Sequence, residues 1–310
     1  MAQITIENIE NIMLNVLPWE RRFDSEGNLA IHPAVKNKYL EKGYDFMPKS
    51  RDEADARGQS SFNGLMSSFT SIRTYTEKDR KVVVVDIAPT RYLIGQAMRD
   101  IVKTGNCNDT LIAEMSPDMA NVSLIAPVKL NGNYYLLSQI KGKALGSGEV
   151  HAGLVAGNVD AKYLYTENPL TTTLKAECSE ELGLNLSYLS SSSFIFMVDE
   201  RETGQVNFAC VAKNVNTDQV LTTYQTDTKN KLGKNEPLEV MALANLPIAG
   251  IALVPLENGE GVKNITCFKP TTIGLKSCIE DRVVRPYTQA IIEYLSRKGN
   301  IDFLLEKGGF

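Results

Sequence analysis

Ala176-Glu177-Cys178-Ser179-Glu180-Glu181-Leu182-Gly183-Leu184 decides how this chain is read. Its three carboxylates stand at i, i+3 and i+4, which on a helix is one face. The ends of that helix are visible in the sequence. Asn168 is a good N-cap, and Pro169 falls in the first turn, where a missing N–H costs nothing. Gly183 supplies the left-handed residue that closes the last turn. Leu170, Leu174, Cys178 and Leu182 form a stripe beside the acidic face, able to hold the helix on a sheet. Crowded carboxylates repel one another unless a cation neutralises them, and hard divalent ions such as Mg²⁺ or Mn²⁺ favour such oxygen donors. On this reasoning Glu181→Gln leaves the metal-free fold intact or relieves repulsion. The competing reading is a solvated acidic face, because Glu is a good helix former. The ordered string E-x-x-E-E-x-G followed by an apolar residue arises by chance on the order of once per thousand chains of this length.

That string resembles the second half of the Nudix box, G-x5-E-x7-R-E-U-x-E-E-x-G-U with U apolar, and matches it from Glu177 to Leu184. Upstream, His151-Ala152-Gly153-Leu154-Val155-Ala156-Gly157 is similar to the glycine-containing strand and turn that lead into the box. Gly157 to Glu177 is about five residues longer than the family spacing, which places an insertion in 158–168. Glu167 lies nearest the middle glutamate of the box, off register by one. Ala176 stands where the family has an arginine that orients a metal-binding glutamate. Lys175 beside it points elsewhere on a helix and is no bidentate substitute.

The resemblance implies metal ligation by Glu177, Glu180 and Glu181, with catalytic roles for Glu181 and Glu180. Gly153 and Gly157 would let the backbone approach the bound group. A further carboxylate, acting as base or extra ligand, is expected from 235–243, where Glu239 is the candidate and Glu236 its neighbour. The implied activity is Mg²⁺- or Mn²⁺-dependent hydrolysis of a nucleoside diphosphate linked to another moiety: ADP-ribose, a dinucleotide or a nucleotide sugar. The alternative is a Nudix-fold nucleotide-binding or regulatory protein with weak or no catalysis, which Ala176 and the stretched first half of the box suggest. Prenyl diphosphate isomerisation uses the same fold but needs a pocket cysteine, and Cys178 lies on the packing side of its helix.

The flanking sequence follows the family order. Two β-rich runs, 121–130 and 134–140, surround Asn131-Gly132-Asn133 and read as a hairpin, with the second strand running into Lys141. Residues 193–198 and 206–212 read as strands after the box, joined by a turn over 199–205. Residues 280–297 space Val283, Val284, Tyr287, Ile291 and Leu295 for a helix, with Pro286 in its first turn. The expected architecture is α/β: a Nudix α/β/α sandwich with a mixed sheet in 118–310, and an N-terminal α+β domain in 1–117. In the latter, 81–86 reads as a buried β-branched strand and 91–102 as a helix. Residues 48–68, rich in Arg, Asp, Ser and Gly, read as a mobile connection or a loop over a site, and 105–118 as the linker.

Composition sets the class. The chain has 310 residues, room for two domains, and a net charge of −4, which gives no footprint for nonspecific nucleic-acid binding. No apolar run reaches membrane-spanning length, and the N-terminus carries acids where a signal peptide carries bases. A cytoplasmic protein is expected, and the family resemblance implies a small nucleotide substrate and an N-terminal region used for homodimer or substrate contacts. The 5 cysteines are widely spaced without a C-x-x-C pair, so free thiols are expected. His32 is given no role, His151 and Trp19 read as structural, and Tyr163 and Tyr165 as loop tyrosines.

Overall fold

The structure, a computed structural model, describes residues 4–9, 11–17, 31–59, 62–78, 80–104, 118–142, 149–185, 194–200, 205–212, 215–231, 248–256, 263–271, 274–284, 286–297 and 300–302. It is an α/β chain with mixed β-sheet. It divides into two compact units drawn from interleaved stretches. The first comprises Met1–Val122, Asn158–Thr173 and Met197–Phe208; the second, Ser123–Gly157, Leu174–Phe196 and Ala209–Phe310.

The first unit contains β1 (Ile4–Asn8), β2 (Asn11–Val16), α1 (Pro33–Glu41), α2 (Arg51–Ala56), β3 (Leu65–Glu77), β4 (Arg80–Arg91) and α3 (Tyr92–Lys103). The β-branched run at 82–85 lies in β4, where Val83 and Val85 are fully buried. β4 pairs with β2 in parallel and with β3 antiparallel. α3 matches the helix read at 91–102, and its Leu93, Ile94, Ala97 and Met98 pack with Val35 and Tyr39 of α1. The stretch 48–68 is more ordered than its composition suggests. It holds α2, started by Ser50, whose hydroxyl accepts the Glu53 N–H, while Glu53 reaches back to the Lys49 N–H at 2.6 Å. This is a variant of the capping box, a signal present in the sequence at Ser50 and Glu53. It then holds Asn63, fully buried, which accepts the Leu93 N–H at 3.0 Å and donates to the Tyr39 hydroxyl. The proposed linker, apart from Asp118, lies outside the described residues, as does Trp19.

β5 (Asp118–Leu130) and β6 (Asn133–Lys141) form the expected hairpin, with Leu130 opposite Asn133. Asn131 and Gly132 take φ of 51° and 89°, the two left-handed positions that a tight two-residue hairpin turn requires. β7 (Val150–His151) pairs with β6, and β8 (Val155–Asn158) follows. The inserted residues 158–168 form part of the first unit. The Val159 carbonyl accepts the Ser67 N–H and its N–H reaches the Ala120 carbonyl, both at 2.8 Å. Asp160 bridges to Met66, and a 3₁₀ turn at Ala161–Tyr163 leads to α4 (Pro169–Leu182). These residues thus contact β3 and β5 within that unit.

β9 (Phe194–Glu200) and β10 (Gln205–Val211) are the strands expected after the box. The remaining elements are α5 (Thr217–Lys231), β11 (Ile248–Pro255), β12 (Ile265–Pro270), β13 (Leu275–Glu280) and α6 (Pro286–Ser296). β11 lies antiparallel between β6 and β12, and β13 closes on β12. Tyr224 of α5, 2 % exposed, donates to the Ile248 carbonyl. α6 begins at Pro286, the residue expected in its first turn, where proline's fixed φ fits, while Glu280 ends β13. Among the described residues no helix is long and apolar enough to cross a membrane.

Candidate functional site

α4 is capped at both ends by the residues expected. The Asn168 side chain accepts the Thr171 N–H at 3.0 Å, and Pro169 opens the helix. Gly183 adopts φ of 67°, and the N–H groups of Gly183 and Leu184 return to the Ser179 and Cys178 carbonyls, each at 3.0 Å. Leu170, Leu174, Cys178 and Leu182 are all buried, so the apolar stripe anchors the helix. With that face fixed, the carboxylates are placed on the remaining surface.

Glu177 is half-buried and its carboxyl lies against Gly157. A methyl group at 157 would stand 2.2 Å from Glu177 Oε1 and 2.3 Å from Cδ, so only glycine leaves that carboxylate where it is. Glu181 is more enclosed, its side chain 11 % exposed. Its Oε2 accepts the Ala156 N–H at 3.4 Å, and its Oε1 lies 3.7 Å from the ammonium of Lys141, itself 10 % exposed. Glu180 is exposed. The fold therefore brings the glycine stretch of β8 to Glu177 and Glu181, twenty or more positions later in the chain. Gly153 has a different requirement: a side chain there would meet the Val155 carbonyl at 2.9 Å and Ser123 Cβ at 3.1 Å. Glu236 and Glu239 lie outside the described residues. Glu167 is exposed in the loop ahead of Asn168, and Tyr165 is exposed beside it.

Cys178 sits between the two glutamates on the packing side. Burial, then the charges of Glu181 and Glu177, push its thiol well above the ordinary range, so it stays protonated. Its side chain is fully buried on the packing side. The described cysteines, Cys178, Cys210, Cys267 and Cys278, are free thiols. His151 is structural in its contacts: Nδ1 accepts the Gly153 N–H at 3.2 Å and the ring stacks on Tyr287 at 5.3 Å. Thr288 ties the same turn, donating to the Val150 carbonyl and accepting the Ala152 N–H. His32 accepts the Ala34 N–H as the N-cap of α1.

The donor chemistry of Glu177, Glu180 and Glu181 suits a hard divalent cation. Among the described residues, however, no three His, Cys, Asp or Glu side chains are gathered closely enough to hold one. Glu181 Oε1 faces Lys141 and its Oε2 the Ala156 N–H. Sequence reasoning missed Lys141. Its signal was a lysine closing an apolar strand, with nothing local to say which carboxylate it would meet.

No family model matches this chain, and no curated protein matches it. Among solved structures, the crystal structure of a MutT/nudix family protein from Enterococcus faecalis is similar at 11 % identity, over 67 % of this chain and 78 % of that one, with a TM-score of 0.27.

Proposed function

We propose that the chain is a divalent-cation-dependent hydrolase of a nucleoside diphosphate linked to another moiety, acting on a substrate of the ADP-ribose, dinucleotide or nucleotide-sugar type. The observation that carries this reading is the seating of the Glu177 carboxylate on Gly157. It joins the two halves of the box motif in space, across an insertion that separates them in sequence.

Glu177, Glu180 and Glu181 would hold the Mg²⁺ or Mn²⁺ ion once brought together around it, and the ion would supply neutralisation of pyrophosphate charge and a water of lowered pKa. The chain's own residues do the rest. Gly157, lacking a side chain, keeps the backbone beside Glu177 open to close approach. The Ala156 N–H and Lys141 hold Glu181 in place, and its enclosure keeps bulk water from the carboxylate. Glu181 is assigned the base that takes a proton from the attacking water, Glu180 the solvent-facing second carboxylate, and Glu239 a supporting base or ligand. The test is incubation of the full chain with ADP-ribose, NADH, dinucleoside polyphosphates and nucleotide sugars in the presence of Mg²⁺ or Mn²⁺. Hydrolysis of one class at the diphosphate is expected; no turnover of any of them defeats the reading.

A second reading, a nucleotide-binding protein without efficient catalysis, is favoured by Ala176 in place of the box arginine and by the Lys141–Glu181 pair. Calorimetry separates the two. Tight nucleotide binding without product supports the binding protein, and metal-dependent turnover lost in Glu181→Gln rejects it.

A further inference from the structure

Cys267 and Cys278 face one another across the hairpin of β12 and β13. The register runs without a shift from Pro270 opposite Leu275 to Ile265 opposite Glu280. It is pinned at the turn, where the Thr271 hydroxyl donates to the Gly274 carbonyl at 2.9 Å. Directly opposed residues of an antiparallel pair share a face, with Cα atoms about 4.5–5.5 Å apart, inside the span of about 4.4–6.8 Å that a disulfide bridges. The Cys278 thiol lies 3.0 Å from Glu280 Oε1 and 3.8 Å from the Cys267 carbonyl oxygen. Both cysteines are free thiols, but their exposure differs. Cys267 is fully buried, while Cys278 is partly exposed on β13, which among the described residues pairs with β12 alone. An edge strand can shift toward its neighbour by the roughly 1 Å that separates an ordinary cross-strand Cβ spacing from that of a cystine.

We infer that Cys267 and Cys278 form a reversible modification site, closing into a cross-strand disulfide that clasps the β12–β13 hairpin when a low-molecular-weight disulfide acts as oxidant. The exposed member reacts first. The Cys278 thiolate attacks one sulfur of the oxidant, a mixed disulfide forms and one thiolate leaves. The Cys267 thiolate then attacks the Cys278 sulfur, the internal S–S bond forms and the second thiolate leaves. The two departing thiolates take up the two protons that the cysteines release, so the pair is oxidised and the oxidant is reduced to two thiols. A peroxide is a poorer match. Burial holds the Cys267 thiol above its ordinary value, with Arg282 and Lys269 pulling the other way, and the hydrogen bond to Glu280 holds Cys278 up. Neither is the low-pKa thiolate on which peroxide sensing depends. Closure also takes the Cys278 proton away from Glu280, which keeps Lys269 and Arg282 as partners. Drawing opposed Cβ atoms closer than a sheet holds them makes the bond easier to reduce, so the pair returns to thiols when reductant prevails. None of this depends on the proposed hydrolase activity.

The full chain is incubated with excess oxidised glutathione, its remaining thiols are blocked, and its peptides are mapped by mass spectrometry without reduction. Wild type should give Cys267 linked to Cys278, a product that dithiothreitol returns to free thiols. Cys267→Ser should stop at the mixed disulfide, with glutathione on Cys278 about tenfold or more above wild type. Cys278→Ser should leave Cys267 unmodified, because its thiol is buried. In urea the wild-type ratio of internal to mixed disulfide should fall about tenfold or more, since the register that opposes the thiols is lost. Wild type that keeps both thiols, that stops at glutathione on Cys278, or that links either cysteine elsewhere overturns the inference, as does a ratio that urea leaves unchanged. Should either variant fail to fold, the wild-type map and its urea control decide.

Discussion

Glu181 and Glu280 both face cations within the second unit, but in different settings. Glu280 ends β13 and is saturated. Lys269 Nζ donates to it at 2.5 Å, Arg282 grips it through Nε at 3.0 Å and Nη2 at 2.6 Å, and the Cys278 thiol donates at 3.0 Å. The Cys278 hydrogen bond, with those from Lys269 and Arg282, draws its carboxyl down to about 2. Glu181 is more enclosed than Glu280, with the Ala156 N–H at 3.4 Å and the Lys141 ammonium at 3.7 Å among its neighbours. A carboxylate with every oxygen matched is a fastening. Glu181 instead faces the glycine stretch against which Glu177 is seated. The difference separates structural charge from a candidate site without reference to sequence pattern.

The sharpest way to break the comparison is at Glu181. With metal present, Glu181→Gln should lower kcat/KM by about 10²-fold or more, read by initial rates on the best substrate of the panel. The metal-free protein should lose stability, because Lys141 is left enclosed without its counter-charge; breaking such a pair costs up to about 3 kcal/mol. Repulsion among the three carboxylates, taken alone, predicts the opposite sign. A chemical-denaturation midpoint distinguishes the two.

Gly157→Ala probes the seating of Glu177. The added methyl meets the far end of a flexible side chain, so the carboxylate moves and the backbone does not. Mn²⁺ affinity and turnover should fall about tenfold with less than about 1 kcal/mol of stability lost. A large loss of stability with activity unchanged would make Gly157 a packing residue. Asn168→Ala removes the cap of α4 and should cost about 1 kcal/mol, with activity falling only where the helix frays.

Glu280→Gln should leave turnover unchanged and cost about 1 kcal/mol at neutral pH, the pair being open enough to water to blunt its worth. The pH dependence has a definite sign. The folded-state value is depressed, so the stabilisation is present above the ordinary value of 4.5 and fades as pH falls toward 2. Wild type and variant should therefore converge in unfolding free energy across that acid window.

The hairpin and α4 were legible because their signals are local. Asn131-Gly132 needs two left-handed residues, Asn168-Pro169 and Gly183 bound a helix, and the stripe from Leu170 to Leu182 is set by helical spacing. α5 was not read, since only Val220, Tyr224 and Thr228 of that polar stretch are buried, a stripe one residue wide. β11 to β13 were missed for a different reason: strand identity there follows from pairing with β6, which local sequence does not encode. Within the site, Glu177 and Gly157 were named by the motif. Lys141 was not, because its significance comes from the helix that the fold lays beside it.

The central claim is that the carboxylate facing the glycine stretch is the functional one, and Mn²⁺-dependent thermal unfolding of wild type, Glu181→Gln and Glu280→Gln tests it most directly. A cation that binds only the native state raises Tm in proportion to its occupancy. Mn²⁺ should raise the Tm of wild type and Glu280→Gln alike and leave that of Glu181→Gln unmoved. An equal rise in all three, or none in wild type, would contradict the account.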